Sequence, residues 1–101
     1  MHIYHIVLPE IWNSLDSDSD YTAESLKTEG FIHCSYENQL DGVLGRYYAN
    51  AKEVVILELD TDKLTSRLVE EPSTNNEIYP HIYGLINRDS IVGVEERQLS
   101  T

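Results

Sequence analysis

Histidines within apolar segments are the residues of this sequence best suited to chemistry. The chain has four histidines, and His5, His33 and His81 each stand among apolar neighbours in segments typical of β-strands. An imidazole with an unperturbed pKa of about 6.5 can carry a proton near neutral pH or bind a ligand. A buried histidine can equally be a hydrogen-bonded core residue. We expect at least two of the three to face one cleft, with His33 and His81 as the catalytic proton carriers.

The spacing of the possible metal ligands argues against a metal centre. Alternation along a strand places His33 and Cys34 on opposite faces. The sequence also contains no H-x-x-x-H or C-x-x-C spacing. We therefore expect no metal. The same alternation separates the Cys34 thiol from the His33 ring, so we expect a buried structural cysteine and not a nucleophile.

A strand that runs directly into a helix is the most informative local arrangement. Residues 30–35 are typical of such a strand, and Ser35 is placed to cap the helix that follows. Because a helix N-terminus offers unpaired backbone N–H groups, the junction predicts a site for a phosphate or carboxylate. The candidate ligand contacts around it are His5, Ser25, Ser35, Arg46 and Tyr83.

The elements that must position these residues follow from the apolar periodicity. The sequence does not alternate strands and helices regularly, so we expect an α+β fold with a split sheet, mixed or mostly antiparallel. It would have five or six strands and two or three helices. Strands are predicted over residues 2–7, 31–34, 53–59, 67–71 and 91–98. Residues 21–23 could form a short strand, and any strand over 78–84 would be an edge or interrupted strand because of Pro80. A short helix is predicted over 9–15, a longer one over 36–49 and one helical turn over 60–64.

The longer helix has the clearest pattern. Its apolar stripe repeats at helical spacing, which predicts one face against the core. Gly42 and Gly45 lie inside this helix, where each costs about 1 kcal/mol relative to alanine, and we expect them to allow close packing on another backbone. The stripe consists of Leu40, Val43, Leu44, Tyr47 and Tyr48.

Length and charge set the broad class of the protein. The 101 residues, 41% of them hydrophobic, predict a single domain over 1–101 with its own core. Eighteen acidic and seven basic residues give a net charge of −11, which disfavours extended nucleic acid and anionic membranes as partners. One cysteine, no long apolar run and no leader pattern indicate a cytoplasmic protein. We expect a monomer or a weak homodimer.

The sequence resembles a bacterial family, domain of unknown function 952. The resemblance covers nearly the whole chain and rests most on GFIHCS and PHIYG. The matching segments are IYHIV at 3–7, SLKTEGFIHCS at 25–35, GRYY at 45–48, VVILELD at 54–60 and EIYPHIYG at 77–84.

This resemblance implies a distant grouping with the ADP-ribosyltransferase-like fold and its nicotinamide-nucleotide cleft. In that comparison His5 is similar to a first-strand histidine that holds the adenine-side ribose of NAD. His33 and Ser35 are similar to the residues that hold the nicotinamide side. The resemblance leaves the third catalytic residue open among three candidates, Glu71, Glu77 and His81.

Two functions from different classes follow. The first is an enzyme that binds NAD, or a related nucleotide or phosphorylated metabolite, in a histidine-lined cleft and performs ribosyl transfer or hydrolysis. NAD would be a substrate and no cofactor is required. The second is a non-catalytic module that senses a metabolite or binds a protein partner. The residues alone do not define a complete set of nucleophile, base and orienting group, so both functions stay open.

Overall fold

Six strands in two antiparallel sheets form the framework of the computed structural model, which describes residues 1–99. The α+β class is confirmed. The strands are β1 (His2–Val7), β2 (Ile32–His33), β3 (Glu53–Asp60), β4 (Arg67–Pro72), β5 (Ile78–Tyr83) and β6 (Ile91–Gln98). The helices are α1 (Pro9–Asn13), α2 (Glu24–Thr28) and α3 (Leu40–Tyr47), with 3-10 turns at Glu37–Gln39, Thr61–Lys63, Thr74–Asn76 and Arg88–Ser90.

The first sheet has the order β1-β3-β6, with the apolar strand β3 at its centre. Residues 54–57 of β3 are all buried, as expected for a strand covered on both faces. In the antiparallel pairing of β1 with β3, His5 lies opposite Leu57. This position fixes His5 on the inner side of the sheet.

The second sheet has the order β2-β5-β4, so β5 is its central strand. The prediction of an edge or interrupted strand over 78–84 was therefore wrong. Pro80 is tolerated because its carbonyl still accepts a hydrogen bond from the Cys34 N–H, at 3.1 Å. Since proline has no N–H to return that bond, the ladder stops there. This accounts for a β2 of two residues where residues 31–34 were predicted.

A β-bridge joins the first sheet to the segment that follows β2. The Tyr4 N–H donates to the Ser35 carbonyl at 2.8 Å, and the Ser35 N–H donates to the Tyr4 carbonyl at 2.7 Å. These bonds use both backbone groups of Ser35. The predicted strand over 21–23 is likewise one bridge, between Tyr21 and Ile86.

The start of the longer helix differs from the prediction. The chain enters a 3-10 turn at Glu37, and α3 begins only at Leu40. Ser35 is not a helix cap, because it is held in the bridge to Tyr4; the Tyr36 N–H donates instead to Gln39 Oε1, at 2.9 Å. The structure therefore does not form the predicted strand-to-helix anion site.

The core-facing stripe of α3 is confirmed in part. Leu40 and Leu44 are buried, whereas Tyr47 is 60% exposed. Gly42 and Gly45 are both exposed. The prediction that these two glycines pack closely on another backbone was wrong.

Two apolar clusters form the core. The larger one lies between the sheets and includes Ile3, Ile32, Leu57 and Ile82, all fully buried. The second packs α3 against the first sheet through Leu40, Leu44, Val54 and Ile56. Among residues 1–99, no helix has the length and apolarity needed to span a membrane.

Candidate functional site

A cleft of about 870 Å³ opens where the two sheets part. Residues 4–8 of the β1 segment form one wall, and residues 33–35 form another. Residues 21–25 reach the cleft at the start of α2. The remaining lining residues include three tyrosines, Tyr47, Tyr48 and Tyr79.

His5 lies in the cleft wall and bonds the separated strands together. Its Nδ1 donates to the His33 carbonyl at 2.7 Å, and its Nε2 accepts from the Tyr21 hydroxyl at 2.8 Å. Burial lowers the pKa of His5 to about 4, so the ring is neutral at pH 7. Both ring nitrogens are therefore occupied by hydrogen bonds within the protein. The part of His5 as a ligand contact stays a prediction.

His33 is the predicted catalytic residue that reaches the cleft. Its side chain is exposed and Nε2 lies 3.1 Å from Glu29 Oε2, four residues earlier in the sequence. Both residues line the cleft. The pair places an imidazole nitrogen and a carboxylate oxygen together at the cleft, where both can form hydrogen bonds with a bound molecule.

The two predicted serine contacts also line the cleft. Ser25 is half-buried on α2, and Ser35 is buried beside the bridge to Tyr4. The Ser25 carbonyl accepts the N–H of Glu29 at 2.7 Å and so closes the turn that carries Glu29. Ser25 therefore also positions the partner of His33.

Arg46 is connected to the cleft by its hydrogen bond to Tyr79. Its Nη2 donates to the Tyr79 hydroxyl at 2.6 Å, and that hydroxyl donates to Glu77 Oε1 at 2.9 Å. Tyr79 is a wall residue of the cleft. Arg46 thus brings positive charge close to the cleft without lining it.

His81 and Tyr83 are not among the residues that line the cleft; they lie on β5, beside β2 in the second sheet. His81 is buried, and its Nδ1 is 2.8 Å from Glu71 Oε1. The Tyr83 hydroxyl donates to the same carboxylate oxygen. Phe31 stacks on the His81 ring at 4.2 Å between centroids with an interplanar angle of 18°. The predicted site residues therefore form two groups. One group lines the cleft, and the other consists of His81 and Tyr83 with Glu71.

His33 connects these two groups. Its ring lies edge-on to His81, at 5.3 Å between centroids, and His33 is also one of the residues that line the cleft. Strand pairing explains the contact, because His33 is directly opposite His81 in the β2–β5 register. Hydrogen bonds from Tyr83 and then His81 lower the pKa of Glu71.

The structure separates the candidates for the third catalytic residue by their contacts. Glu71 pairs with His81, whereas Glu77 pairs with the Tyr79 hydroxyl, which also accepts from Arg46. Two residues near these groups were not predicted. Phe31 could have been found from its position two residues before His33 on the same strand face. Tyr21 carries no comparable signal, because only tertiary folding brings it to His5.

Cys34 is buried and faces away from the His33 ring. Burial raises the pKa of its thiol, which keeps it protonated and unreactive. Within residues 1–99, no group of three or more His, Cys, Asp or Glu side chains is arranged to hold a metal ion.

The family described as Protein of unknown function (DUF952) matches residues 6–94 of the chain. The chain belongs to this family. The DUF952 chain is also similar in structure to protein CC0527 from Caulobacter crescentus and to a double mutant of that protein. The TM-scores are 0.87 and 0.86 at 20% and 19% sequence identity, over 99% of this chain and 89% of those chains. No curated protein matches the chain.

These comparisons establish the family and the fold. The likeness to CC0527 lies below 25% identity, so it extends to the path of the chain and not to an activity. The family description assigns no function. The functional argument for this DUF952 protein therefore depends on its cleft.

Proposed function

We propose that this DUF952 protein binds NAD or a related nucleotide in the cleft between its sheets and cleaves the bond between ribose and nicotinamide. The observation that carries the proposal is the cleft at the parting of the sheets, with aromatic walls and His33 paired to Glu29. The resemblance to the ADP-ribosyltransferase-like fold points to the same ligand class.

The size and walls of the cleft support a nucleotide. Its volume of about 870 Å³ falls within the range of roughly 300–1,000 Å³ that is usual for small-molecule sites. Tyrosine rings in the wall, such as Tyr48 and Tyr79, offer flat apolar surfaces on which a base or a nicotinamide ring can stack.

The charges around the cleft suit NAD in particular. Glu24 and Glu29 line the cleft, and carboxylates there would stabilise the positive charge of the nicotinamide ring and of a ribosyl cation. Arg46 lies behind Tyr79, close enough to the cleft for its positive charge to attract the diphosphate. A ligand with a cationic ring and an anionic linker would meet complementary charge at both.

The chemistry would be substitution at C1′ of the ribose. The bond from C1′ to the nicotinamide nitrogen breaks, and the electron pair leaves with nicotinamide. The oxygen of water or of an acceptor forms the new bond to C1′ and gives its proton to a histidine of the site. His33 is placed at the cleft surface to move a proton, with Glu29 holding its ring. Orientation and charge supply the catalysis, so no metal is required.

A sensor that binds the nucleotide without turnover is the second candidate. It is favoured by His5, because both ring nitrogens are already engaged by His33 and Tyr21. A wall fixed in this way suits recognition. Such a sensor would be stabilised by NAD but would leave it unchanged.

Calorimetric titration of NAD and of ADP-ribose into the purified chain tests the binding. Arg46→Gln should weaken NAD binding about tenfold, or about 1.4 kcal/mol, through loss of a charge near the diphosphate. Arg97→Gln is the matched control, because Arg97 pairs with Glu95 on β6, outside the cleft. Absence of binding at millimolar NAD, or equal effects of both substitutions, would contradict the proposal. Nicotinamide release, measured in parallel, separates the enzyme from the sensor.

A further inference from the structure

We infer that His81 is the base for a second reactant, a hydroxyl group of water or an alcohol, at a subsite beneath Phe31. The inference rests on the proposed function, because the hydroxyl would attack the ribose of the nucleotide in the cleft. It adds the class of acceptor and the residue that activates it.

The hydrogen bonds of His81 fix which nitrogen can accept a proton. Glu71 Oε1 lies 2.8 Å from Nδ1, and an ionised carboxylate can only accept, so Nδ1 carries the hydrogen. In the neutral ring Nε2 then presents its lone pair. Tyr83 donates to the same carboxylate oxygen and holds Glu71 in position.

The lone pair of His81 Nε2 has no partner. The side chain is 3% exposed. Among the residues that the structure describes, Nε2 is the buried side-chain nitrogen or oxygen for which no hydrogen bond is found. Buried acceptors are nearly always satisfied in folded proteins, so an unsatisfied one points to a donor that arrives with a ligand. A carboxylate on Nδ1 and a free Nε2 together make the arrangement of a general base.

The position of His81 ties this base to the cleft. The His33 ring meets the His81 ring edge-on at 5.3 Å, and His33 is one of the residues that line the cleft. Phe31 stacks on the other side of His81 and lies 5.4 Å from the Tyr83 ring. Gly30, directly before Phe31, has φ +91° and no atom within 4 Å of the position a Cβ would take. An acceptor at Nε2 would require the Phe31 ring to move aside.

The surrounding charges select a neutral hydroxyl. Glu29 and Glu71 face His33 and His81 and would repel an anionic acceptor. An ammonium group would be held by the same carboxylates in its protonated form, which has no lone pair for attack. A hydroxyl can donate to Nε2 while its oxygen stays nucleophilic.

The step balances as follows. The hydroxyl oxygen forms a bond to C1′, and the bond from C1′ to nicotinamide breaks with its electron pair on the nitrogen. The hydroxyl proton passes to His81 Nε2, and Glu71 stabilises the resulting imidazolium. The products are neutral nicotinamide and an ADP-ribosyl compound that carries OH or OR at C1′.

His81→Asn is the variant that tests the base. The asparagine amide can still donate to Glu71 but has no counterpart of Nε2. His2→Asn is the matched control, because His2 forms an exposed pair with Glu58, at 2.5 Å, outside the cleft lining. NAD binding by calorimetry, nicotinamide release and formation of the methyl glycoside in aqueous methanol are the three measurements.

We expect His81→Asn to bind NAD within about twofold of the wild-type affinity and to release nicotinamide roughly 10²–10⁴-fold more slowly. His2→Asn should match the wild type in both. Wild-type turnover in His81→Asn, or loss of NAD binding by the folded variant, would overturn the inference. If the unaltered protein binds NAD but releases no nicotinamide, the inference fails while the proposed binding stands. If it does not bind NAD, both fail.

A measurement on the unaltered protein covers the case in which His81→Asn does not fold. Long-range ¹H–¹⁵N correlation of the histidine side chains reports which ring nitrogen is protonated. The inference requires the neutral His81 ring to carry its hydrogen on Nδ1. A ring protonated on Nε2 would overturn it, because no lone pair would then face the acceptor.

Discussion

His5 shows how one side chain can close a gap between two sheets. The ladder between the β1 segment and the β2 segment is reduced to the bridge of Tyr4 with Ser35. Beside this bridge, the His5 ring donates a hydrogen bond to the His33 carbonyl through one nitrogen and accepts one from the Tyr21 hydroxyl through the other. The cleft can open at this point because the ring replaces backbone bonds that the separated strands cannot make.

Replacing His5 by phenylalanine should therefore destabilise the fold. The substitution keeps a ring but leaves the His33 carbonyl and the Tyr21 hydroxyl unpaired. Because each buried unpaired group costs about 1–3 kcal/mol, we expect a loss of roughly 2–4 kcal/mol in urea unfolding. Tyr21→Phe removes one hydroxyl and should cost about half as much. Equal stability of His5→Phe and the wild type would contradict this account of the ring.

The buried His5 ring also makes stability depend on pH. Its pKa is lowered from 6.5 to about 4 in the fold, so below pH 6.5 the unfolded chain binds a proton that the folded chain does not. Stability is therefore complete above pH 6.5 and falls as the pH decreases toward 4. From pH 7 to pH 5 the free energy of unfolding should fall by about 2 kcal/mol from this group. Urea titrations at both values should show the fall in the wild type and a smaller one in His5→Phe.

At the scale of the elements, apolar patterning predicted most strands. The continuous apolar run of β3 and the ends of β1 and β6 agree with residues 2–7, 53–59 and 91–98 within one residue. The errors lie where tertiary contacts override local pattern. Pro80 predicted an edge strand, but β5 is central, and the missing N–H of Pro80 lies where the short strand β2 ends. Ser35 was predicted to cap a helix, but its backbone forms a β-bridge with Tyr4 of β1 instead.

The exposed glycines of α3 lead to a prediction about this helix. Gly45 has no atom within 4 Å of the position of an added Cβ, so Gly45→Ala should stabilise the protein by about 0.5–1 kcal/mol through reduced backbone entropy. Gly84→Ala is the contrasting substitution, because its Cβ would lie 2.6 Å from Ser66 Oγ. Thermal unfolding should give a higher Tm for the first and a lower Tm for the second. A lower Tm for Gly45→Ala would contradict the exposed placement of this glycine.

For the whole molecule, the sequence pointed to the right residue types but not to their grouping. His5, His33, Ser25 and Ser35 do line one cleft, as strand alternation and order along the chain suggested. His81 and Tyr83 lie beyond it with Glu71. Their grouping with Glu71 arises from the pairing of β4 with β5, which is a tertiary contact that no local segment of the sequence reveals.

The net charge of −11 should make stability depend on salt. The molecule extends 37 × 34 × 26 Å, so at about 10 mM salt, where the Debye length is roughly 30 Å, its charges repel across the whole surface. At about 150 mM the length falls to roughly 8 Å and the repulsion is screened. Raising NaCl between these values should raise the Tm by a few degrees, measured by circular dichroism. A falling Tm would show that attractive ion pairs dominate instead.

Chemical-shift mapping with NAD tests the central claim most directly, because it asks whether the cleft binds a nucleotide and where. In ¹H–¹⁵N spectra of the full chain, added NAD should shift the amide signals of His5, Ser25 and His33 at the cleft. The signals of Val92 and Val94, exposed on β6, should stay in place. No shifts at millimolar NAD, or shifts centred on β6, would contradict a nucleotide site between the sheets.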